Sequence, residues 1–123
     1  MTRQQRLERI RECYLRDGYP RRVGGLAANL ARVASFANDS RHDTAVEDLI
    51  VESEHFIEWV APTAPKADQA RLVELQRQLA SWRYRMGALW SDEVERRAVA
   101  EAAQRMADEV LELSGLLVSV VGL

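Results

Sequence analysis

The chain has few of the residues that would indicate secretion or a membrane. Cys13 is the only cysteine among 123 residues, so an internal disulfide cannot form. A chain without disulfides is typical of a reducing compartment, and we expect a cytoplasmic location. Residues 1–9 lack the apolar stretch of a signal peptide. The longest uncharged apolar run, residues 115–123, is far shorter than the roughly 20 residues that span a membrane, so we expect no membrane contact.

Basic residues are missing from residues 42–65, where six acidic side chains occur without a lysine or an arginine. Residues 1–41 have the opposite balance, because nine arginines against four acidic residues give a net charge of +5. The whole chain has a net charge of −2 and a pI near 5.7, below that of a typical nucleic-acid-binding domain. The basic first third is therefore only a mild indication of an anionic partner.

Apolar residues recur at three- and four-residue spacing along most of the chain, a period typical of amphipathic helices. With 47% hydrophobic and 29% charged residues, residues 1–123 have the composition of one globular domain. Thr2 with Gln5 predicts a capping box for the first helix, and Ser91 with Asp92 predicts a cap for the last. The predicted helices cover residues 2–17, 20–38, 42–60, 66–90 and 92–113.

These helices predict an all-α protein. We expect the second to fifth to form an antiparallel, up-and-down four-helix bundle, with the additional N-terminal helix packed across it. Whether the chain turns at Ser91 stays open, because a dimer could instead hold residues 66–113 as one continuous helix. The apolar run of residues 116–121 should be docked, since an exposed run of this kind favours aggregation.

No motif in the sequence indicates catalysis or a bound cofactor. Glu52 and His55 have the Glu-x-x-His spacing of di-iron bundles, but a second such pair is missing and the chain has two histidines. A helical wheel places His55 roughly 160° from the middle of the apolar face, towards solvent. Ser53 has no histidine on its own face, and we expect its hydroxyl to bond to a carbonyl one turn earlier. The sequence thus predicts no catalytic residue, no metal ligand and no cofactor.

Two helix faces have the composition of contact surfaces. Val51 and Trp59 lie about 160° and 120° from the centre of the apolar stripe of the third helix, with His55 between them. An outward tryptophan beside a valine is typical of the centre of an interface. The second helix has small side chains opposite its aliphatic stripe, which let another helix approach closely. They are Gly24, Ala28, Ala31 and Ser35. Either surface could be covered by the first helix or by a partner.

Arginines near the start of the chain are the candidate anion-binding groups. The set consists of Arg3, Arg6, Arg9, Arg16, Arg21 and Arg22. Their guanidinium groups could bind an anionic partner through its phosphates or carboxylates. The same groups could instead complement the acidic third helix, on the same chain or on a neighbouring one.

From these patterns we expect a non-enzymatic, cytoplasmic interaction or scaffold module that binds another protein or, as a homodimer, itself. An accessory nucleic-acid- or anion-binding protein that uses the arginine-rich first helix is the first alternative, although nucleic acid is the less favoured partner. A bundle that binds a metal, or a small ligand in a core pocket between Trp82, Met86 and Trp90, is the second alternative.

Overall fold

The structure, a computed structural model, describes residues 1–115, so the predicted docking of residues 116–121 lies outside it. In the described part every regular element is helical and none is a strand, which confirms the all-α prediction. The α-helices are α1 (Arg3–Arg16), α2 (Tyr19–Phe36), α3 (Asp43–Val60), α4 (Lys66–Tyr84), α5 (Met86–Trp90) and α6 (Glu93–Ser114). Two 3-10 turns, Ser40–His42 and Ala61–Thr63, join α2 to α3 and α3 to α4. None of these helices has the length and apolar composition needed to cross a membrane.

The ends of α1 and α6 follow local sequence rules. The Thr2 hydroxyl accepts from the backbone N–H of Gln5, and the Gln5 side chain accepts from the N–H of Thr2, so the predicted capping box is present. Asp92 caps α6 by accepting from the N–H of Val94 at 2.9 Å. Gly115 follows the last residue of α6 with φ at 74°, a left-handed conformation that glycine adopts without strain.

The predicted fourth helix is divided in two, which corrects the prediction of one helix over residues 66–90. Arg85 leaves the helical conformation, with φ at −95° and ψ at 10°, and separates α4 from α5. Beyond this break the indole N–H of Trp90 donates to the carbonyl oxygen of Ser40, 2.8 Å away. Asp92 is extended, with φ at −121° and ψ at 116°, so α5 and α6 are separate helices as well.

The core lies around α2, which packs most extensively against α6 and next against α3. Leu26, Leu30 and Val33 of α2 have no exposed surface. Both α2 and α6 also carry buried alanines, whose small side chains let two helix axes come close together. The buried alanines are Ala27 and Ala34 on α2, and Ala100, Ala103 and Ala107 on α6.

Asn29 and Ser53 are buried polar residues that differ in their hydrogen bonding. Asn29 of α2, which is 2% exposed, donates to Glu52 of α3 at 3.2 Å and accepts from Arg32 at 3.1 Å. Ser53 of α3 is fully buried, and its hydroxyl has no hydrogen-bond partner among the described residues. The predicted bond from Ser53 to a carbonyl one turn earlier is therefore wrong. The side chain lies in the apolar stripe of α3, where packing rather than hydrogen bonding fixes its direction.

α1 packs on α3 and is attached near both of its ends. Tyr14, the one buried residue of α1, stacks on Phe56 of α3 with ring centroids 4.1 Å apart. The Tyr14 hydroxyl donates to the carbonyl oxygen of Arg22 in α2 at 2.5 Å. At the start of α1, Arg3 forms an ion pair with Asp48 of α3 at 2.5 Å. Tyr14 therefore joins α1 to two other helices.

Candidate interaction surface

Aromatic rings from α1 and α3 form a cluster where the two helices meet. The centroid of Trp59 lies 5.9 Å from that of Tyr14 and 5.9 Å from that of Phe56. His55 stacks on Trp59, with the ring centroids 5.6 Å apart. Burial raises the pKa of Tyr14, because the phenolate would lose its hydration. The cluster holds α1 against α3, and two grooves open next to it.

An apolar groove lies between the C-terminal half of α1 and α3. It has a volume of about 410 Å³ and is lined by Arg9, Ile10, Cys13, Tyr14, Asp17 and Phe56. Cys13 is exposed and Ile10 is partly buried, so the apolar walls are open to solvent. Arg9 and Asp17 supply opposite charges at the rim. We call this feature the apolar groove; it can bind apolar side chains and orient them through charge.

A second groove lies where the start of α1 meets α3 and α4, and we call it the charged groove. It has a volume of about 550 Å³ and is lined by Arg3, Glu47, Val51, Glu54, His55, Glu58, Gln76 and Arg83. Arg83 donates to both carboxylate oxygens of Glu54, at 2.8 and 3.3 Å, and this contact raises the pKa of Arg83. His55 Nδ1 lies 3.0 Å from a carboxylate oxygen of Glu58. Much of the charge in this groove is thus already paired within the chain.

The predicted patch of Val51, His55 and Trp59 is divided between two environments. Val51 and His55 line the charged groove and are partly buried. Trp59 is also partly buried, and its ring contacts Tyr14 of α1. α1 therefore covers part of Trp59, and Val51 with His55 is the part of the patch that lines an open groove.

The small residues predicted as a contact face on α2 are partly covered by α6. Gly24 and Ala31 are partly buried, whereas Ala28 and Ser35 are exposed. Ala31 and Ser35 border a groove of about 400 Å³ between α2 and α6. α1 reaches the same helix at Gly25, where an added Cβ would lie 3.5 Å from the Tyr14 ring. Two helices of the chain thus flank the small-residue face, and its exposed members stay accessible.

The candidate anion-binding arginines fall into two groups. Arg3 and Arg6 both pair with Asp48, at 2.5 and 3.8 Å. Arg22 donates to two backbone carbonyl oxygens, those of Asp17 at 2.7 Å and Leu15 at 2.9 Å. The other members, Arg9, Arg16 and Arg21, are exposed and form no ion pair with residues 1–115. The second group is therefore the one that has charge available for a partner.

Sequence reasoning did not select Ile10, Cys13 and Phe56 as surface residues. Ile10 and Cys13 lie on the apolar face of the first predicted helix, which has few apolar residues. Phe56 lies in the apolar stripe of the third. Each face alone is typical of core packing. Only the placement of α1 on α3 brings them to one groove, and the thinness of the α1 face is the one sequence signal for it.

The side chains described here offer recognition chemistry: apolar contact in one groove and charge pairing around it. Glu52 and His55 take different partners, since Glu52 accepts from Asn29 and His55 lies against Glu58. Within residues 1–115, no three His, Cys, Asp or Glu side chains are grouped so that they could hold a metal ion. Comparison with known proteins gave no match to this chain among protein-family models, curated proteins or solved structures.

Proposed function

We propose that the protein is a non-enzymatic helical interaction module that binds a partner protein in the apolar groove. The observation that carries this proposal is the groove itself, an open cavity of about 410 Å³ with Ile10, Cys13 and Phe56 on its walls. Apolar side chains in an exposed concavity gain free energy when a partner removes them from water. The single cysteine of the chain supports a cytoplasmic location for this module.

The order of the groove walls also favours binding. Tyr14 is fixed by its stack on Phe56 and by the hydrogen bond to the Arg22 carbonyl. A wall that is already rigid loses little conformational entropy when a partner docks, so more of the contact free energy remains as affinity. The arrangement of an aromatic floor and a charged rim, here Arg9 and Asp17, is that of a typical interface centre.

We propose further that α2, α3, α4 and α6 form an antiparallel four-helix bundle, with α1 beside it. Arg71 near the start of α4 pairs with Glu109 near the end of α6. Asn38, just after α2, and Arg97, near the start of α6, line the same groove. The short turn between α2 and α3 also favours antiparallel neighbours. These pairings are those expected of adjacent helices that run in opposite directions.

A second copy of the chain is the second candidate partner, at the groove between α2 and α6. Exposed Ser35, which lines this groove, favours it, because small side chains allow a helix to approach closely. Sedimentation should then give the mass of two chains, and Ser35→Glu should reduce it to one. A mass of one chain for the unchanged protein would contradict a dimer.

The experiment for the apolar groove compares two acidic substitutions on α1. A thiol-reactive photocrosslinker on Cys13 first identifies the protein that contacts the groove, and that protein is then purified for binding measurements. Ile10→Glu should weaken its binding by about tenfold or more, since a charge enters the apolar wall. The bound protein should also slow the alkylation of Cys13.

Leu15→Glu is the matched control, because Leu15 is an exposed aliphatic residue of α1 that does not line the groove. It should bind the partner as the unchanged protein does. Equal binding by both variants, or unchanged alkylation of Cys13 in the complex, would show that the partner does not use the apolar groove. Circular dichroism confirms that each variant is folded before binding is compared.

A further inference from the structure

We propose that the partner in the apolar groove is an acidic amphipathic helix, whose apolar side chains enter the groove while its carboxylates pair with arginines of α1. This inference rests on the function proposed above and names the chemistry of the partner. It is carried by the length of the groove and by the charges that border it.

The groove has the length and shape of a helix-binding surface. Its α1 wall is built from Ile10, Cys13, Tyr14 and Asp17, which lie at positions i, i+3, i+4 and i+7. Such a set extends over two helical turns, about 10 Å along α1. A partner helix presents its apolar side chains at the same spacing, so two or three of them can enter together. A more compact ligand would leave part of the apolar wall in water.

Positive charge borders the groove on the α1 side. Arg9 lines the groove, and a helical wheel places Arg16 within about 20° of Arg9, about two turns further along α1. Both arginines are exposed and form no ion pair within the described residues. Guanidinium groups bind carboxylates through two parallel hydrogen bonds, so two free arginines favour an acidic partner. Among residues 1–115, Asp17 is the one acidic residue that lines the groove.

Nucleic acid fits this surface less well than an acidic helix does. Arg3 and Arg6 are already paired with Asp48, and Arg22 is bonded to backbone carbonyls. Phosphates would use the remaining arginines but would leave the apolar walls exposed to water. An amphipathic helix with acidic flanks satisfies the apolar walls and the arginines together.

The test uses two designed helical peptides of about 18 residues. Both carry leucine at i, i+3, i+4 and i+7; one has glutamate on the flanks and the other has lysine at the same positions. At low salt the glutamate peptide should bind the full chain at least about tenfold more tightly than the lysine peptide and should slow alkylation of Cys13. Added salt should weaken this binding, because it screens exposed charges.

Charge reversal at the rim tests which arginines act. The double variant Arg9→Glu, Arg16→Glu should prefer the lysine peptide. Arg105→Glu is the matched control, because Arg105 is exposed on α6, lies outside the groove and forms no ion pair with residues 1–115. It should keep the preference for the glutamate peptide. Retention of that preference by the double variant would overturn the assignment of the charge to Arg9 and Arg16.

The remaining outcomes separate this inference from the proposed function. Equal protection of Cys13 by both peptides would overturn the acidic partner and leave groove binding standing. Protection by neither peptide would overturn the acidic helix as the occupant, and the comparison of Ile10→Glu with Leu15→Glu then decides groove binding separately. A duplex oligonucleotide that protects Cys13 more strongly than the glutamate peptide would favour nucleic acid instead. Slow alkylation of the free chain, reversed by Leu117→Glu or by dilution, would show that residues 116–123 or a second copy fill the groove, and the proposal would be wrong.

Discussion

Tyr14 connects three helices through one side chain. Its ring stacks on Phe56 of α3, and its hydroxyl donates to the Arg22 carbonyl of α2. Burial raises the pKa of this phenol above its usual value, so the folded protein keeps a proton that the unfolded chain loses in alkaline solution. The stability that Tyr14 contributes is therefore present below pH 10 or so and is lost as the pH rises further.

Tyr14→Phe tests this pH dependence. Below about pH 10 the variant should be less stable by about 1 kcal/mol, because one hydrogen bond is lost. Above that pH the free energy of unfolding of the unchanged protein should fall by up to about 1.4 kcal/mol per pH unit more steeply than that of the variant. Urea unfolding at a series of pH values measures both curves. Parallel curves up to the most alkaline point would show that the Tyr14 phenol does not control the alkaline loss.

We expect the replacement of Ser53 by alanine to stabilise the protein. Its fully buried hydroxyl has no hydrogen-bond partner among the described residues. Ser53→Ala removes an unsatisfied polar group and should raise the free energy of unfolding by about 1 kcal/mol. Ser35→Ala, at an exposed position of α2, should change it by less than about 0.5 kcal/mol. A loss of stability in Ser53→Ala would show that the hydroxyl has a stabilising partner.

The contacts of single residues could be predicted from the sequence where they depend only on neighbouring residues in the chain. The capping box of Thr2 and Gln5 depends on neighbours in the chain, and it is present as predicted. Ser53 shows the limit of such rules, because the predicted local hydrogen bond competes with packing that only the tertiary structure specifies. The free charge of Arg9 could not be predicted either, since Asp48 selects Arg3 and Arg6 through the docking of α1.

At the level of helices, two glycines should respond to the same substitution with opposite sign. Gly115 has φ at 74°, where an L side chain is strained, so Gly115→Ala should lower the free energy of unfolding by about 1 kcal/mol. Gly87 lies within α5, and an added Cβ there meets nothing within 4 Å. Gly87→Ala should raise stability by about 0.5–1 kcal/mol, because alanine restricts the unfolded chain and favours helix.

Thermal melting of both glycine variants measures this contrast. The two melting temperatures should move by a few degrees in opposite directions from that of the unchanged protein. A lower melting temperature for Gly87→Ala would mean that α5 needs the freedom of glycine at this position. An unchanged value for Gly115→Ala would mean that the end of α6 relaxes without cost.

Helix boundaries could be predicted where caps and prolines mark them, and not where a distant contact does. The sequence predicts the start of α4 at Lys66, where it is found. Ser91 and Asp92 offered a cap but left open whether the chain turns there, and the structure shows the separation at Asp92. The break at Arg85 carries no capping residue or proline. The contact between Trp90 and the Ser40 carbonyl accompanies that break, and it joins positions far apart in the chain. A local pattern cannot contain such a contact.

Over the whole molecule, stability should be unevenly distributed. α1 contributes one buried residue, Tyr14, whereas α2 and α6 form the most extensive helix contact. Elements with few buried contacts open locally without global unfolding. Backbone amides of α1 should therefore exchange with solvent faster than those of α2 and α6, and Tyr14→Ala should raise exchange in α1 with little effect on α6. Equal protection of all three helices would show that the molecule opens only as one unit.

The all-helical fold class could be predicted from the three- and four-residue spacing of apolar residues alone, because each helix shows that spacing in its own sequence. The candidate surface did not follow in this way. The sequence offered Val51, His55 and Trp59, whereas the apolar groove uses Ile10 and Phe56 from two separate helices. Their proximity depends on how α1 docks on α3, and that docking rests on the Tyr14 contacts between distant parts of the chain.

The basic surface of α1 also limits how binding could be regulated. Lys66, at the start of α4, is the only lysine among the 17 lysine and arginine residues. Acetylation removes charge from lysine, and arginine keeps its proton at every pH that proteins meet, so the charge beside the apolar groove is permanent. Control of an electrostatic partnership would then act on the other molecule. Phosphorylation along the charged face of the partner helix would add negative charge and strengthen binding, and removal of that phosphate would weaken it.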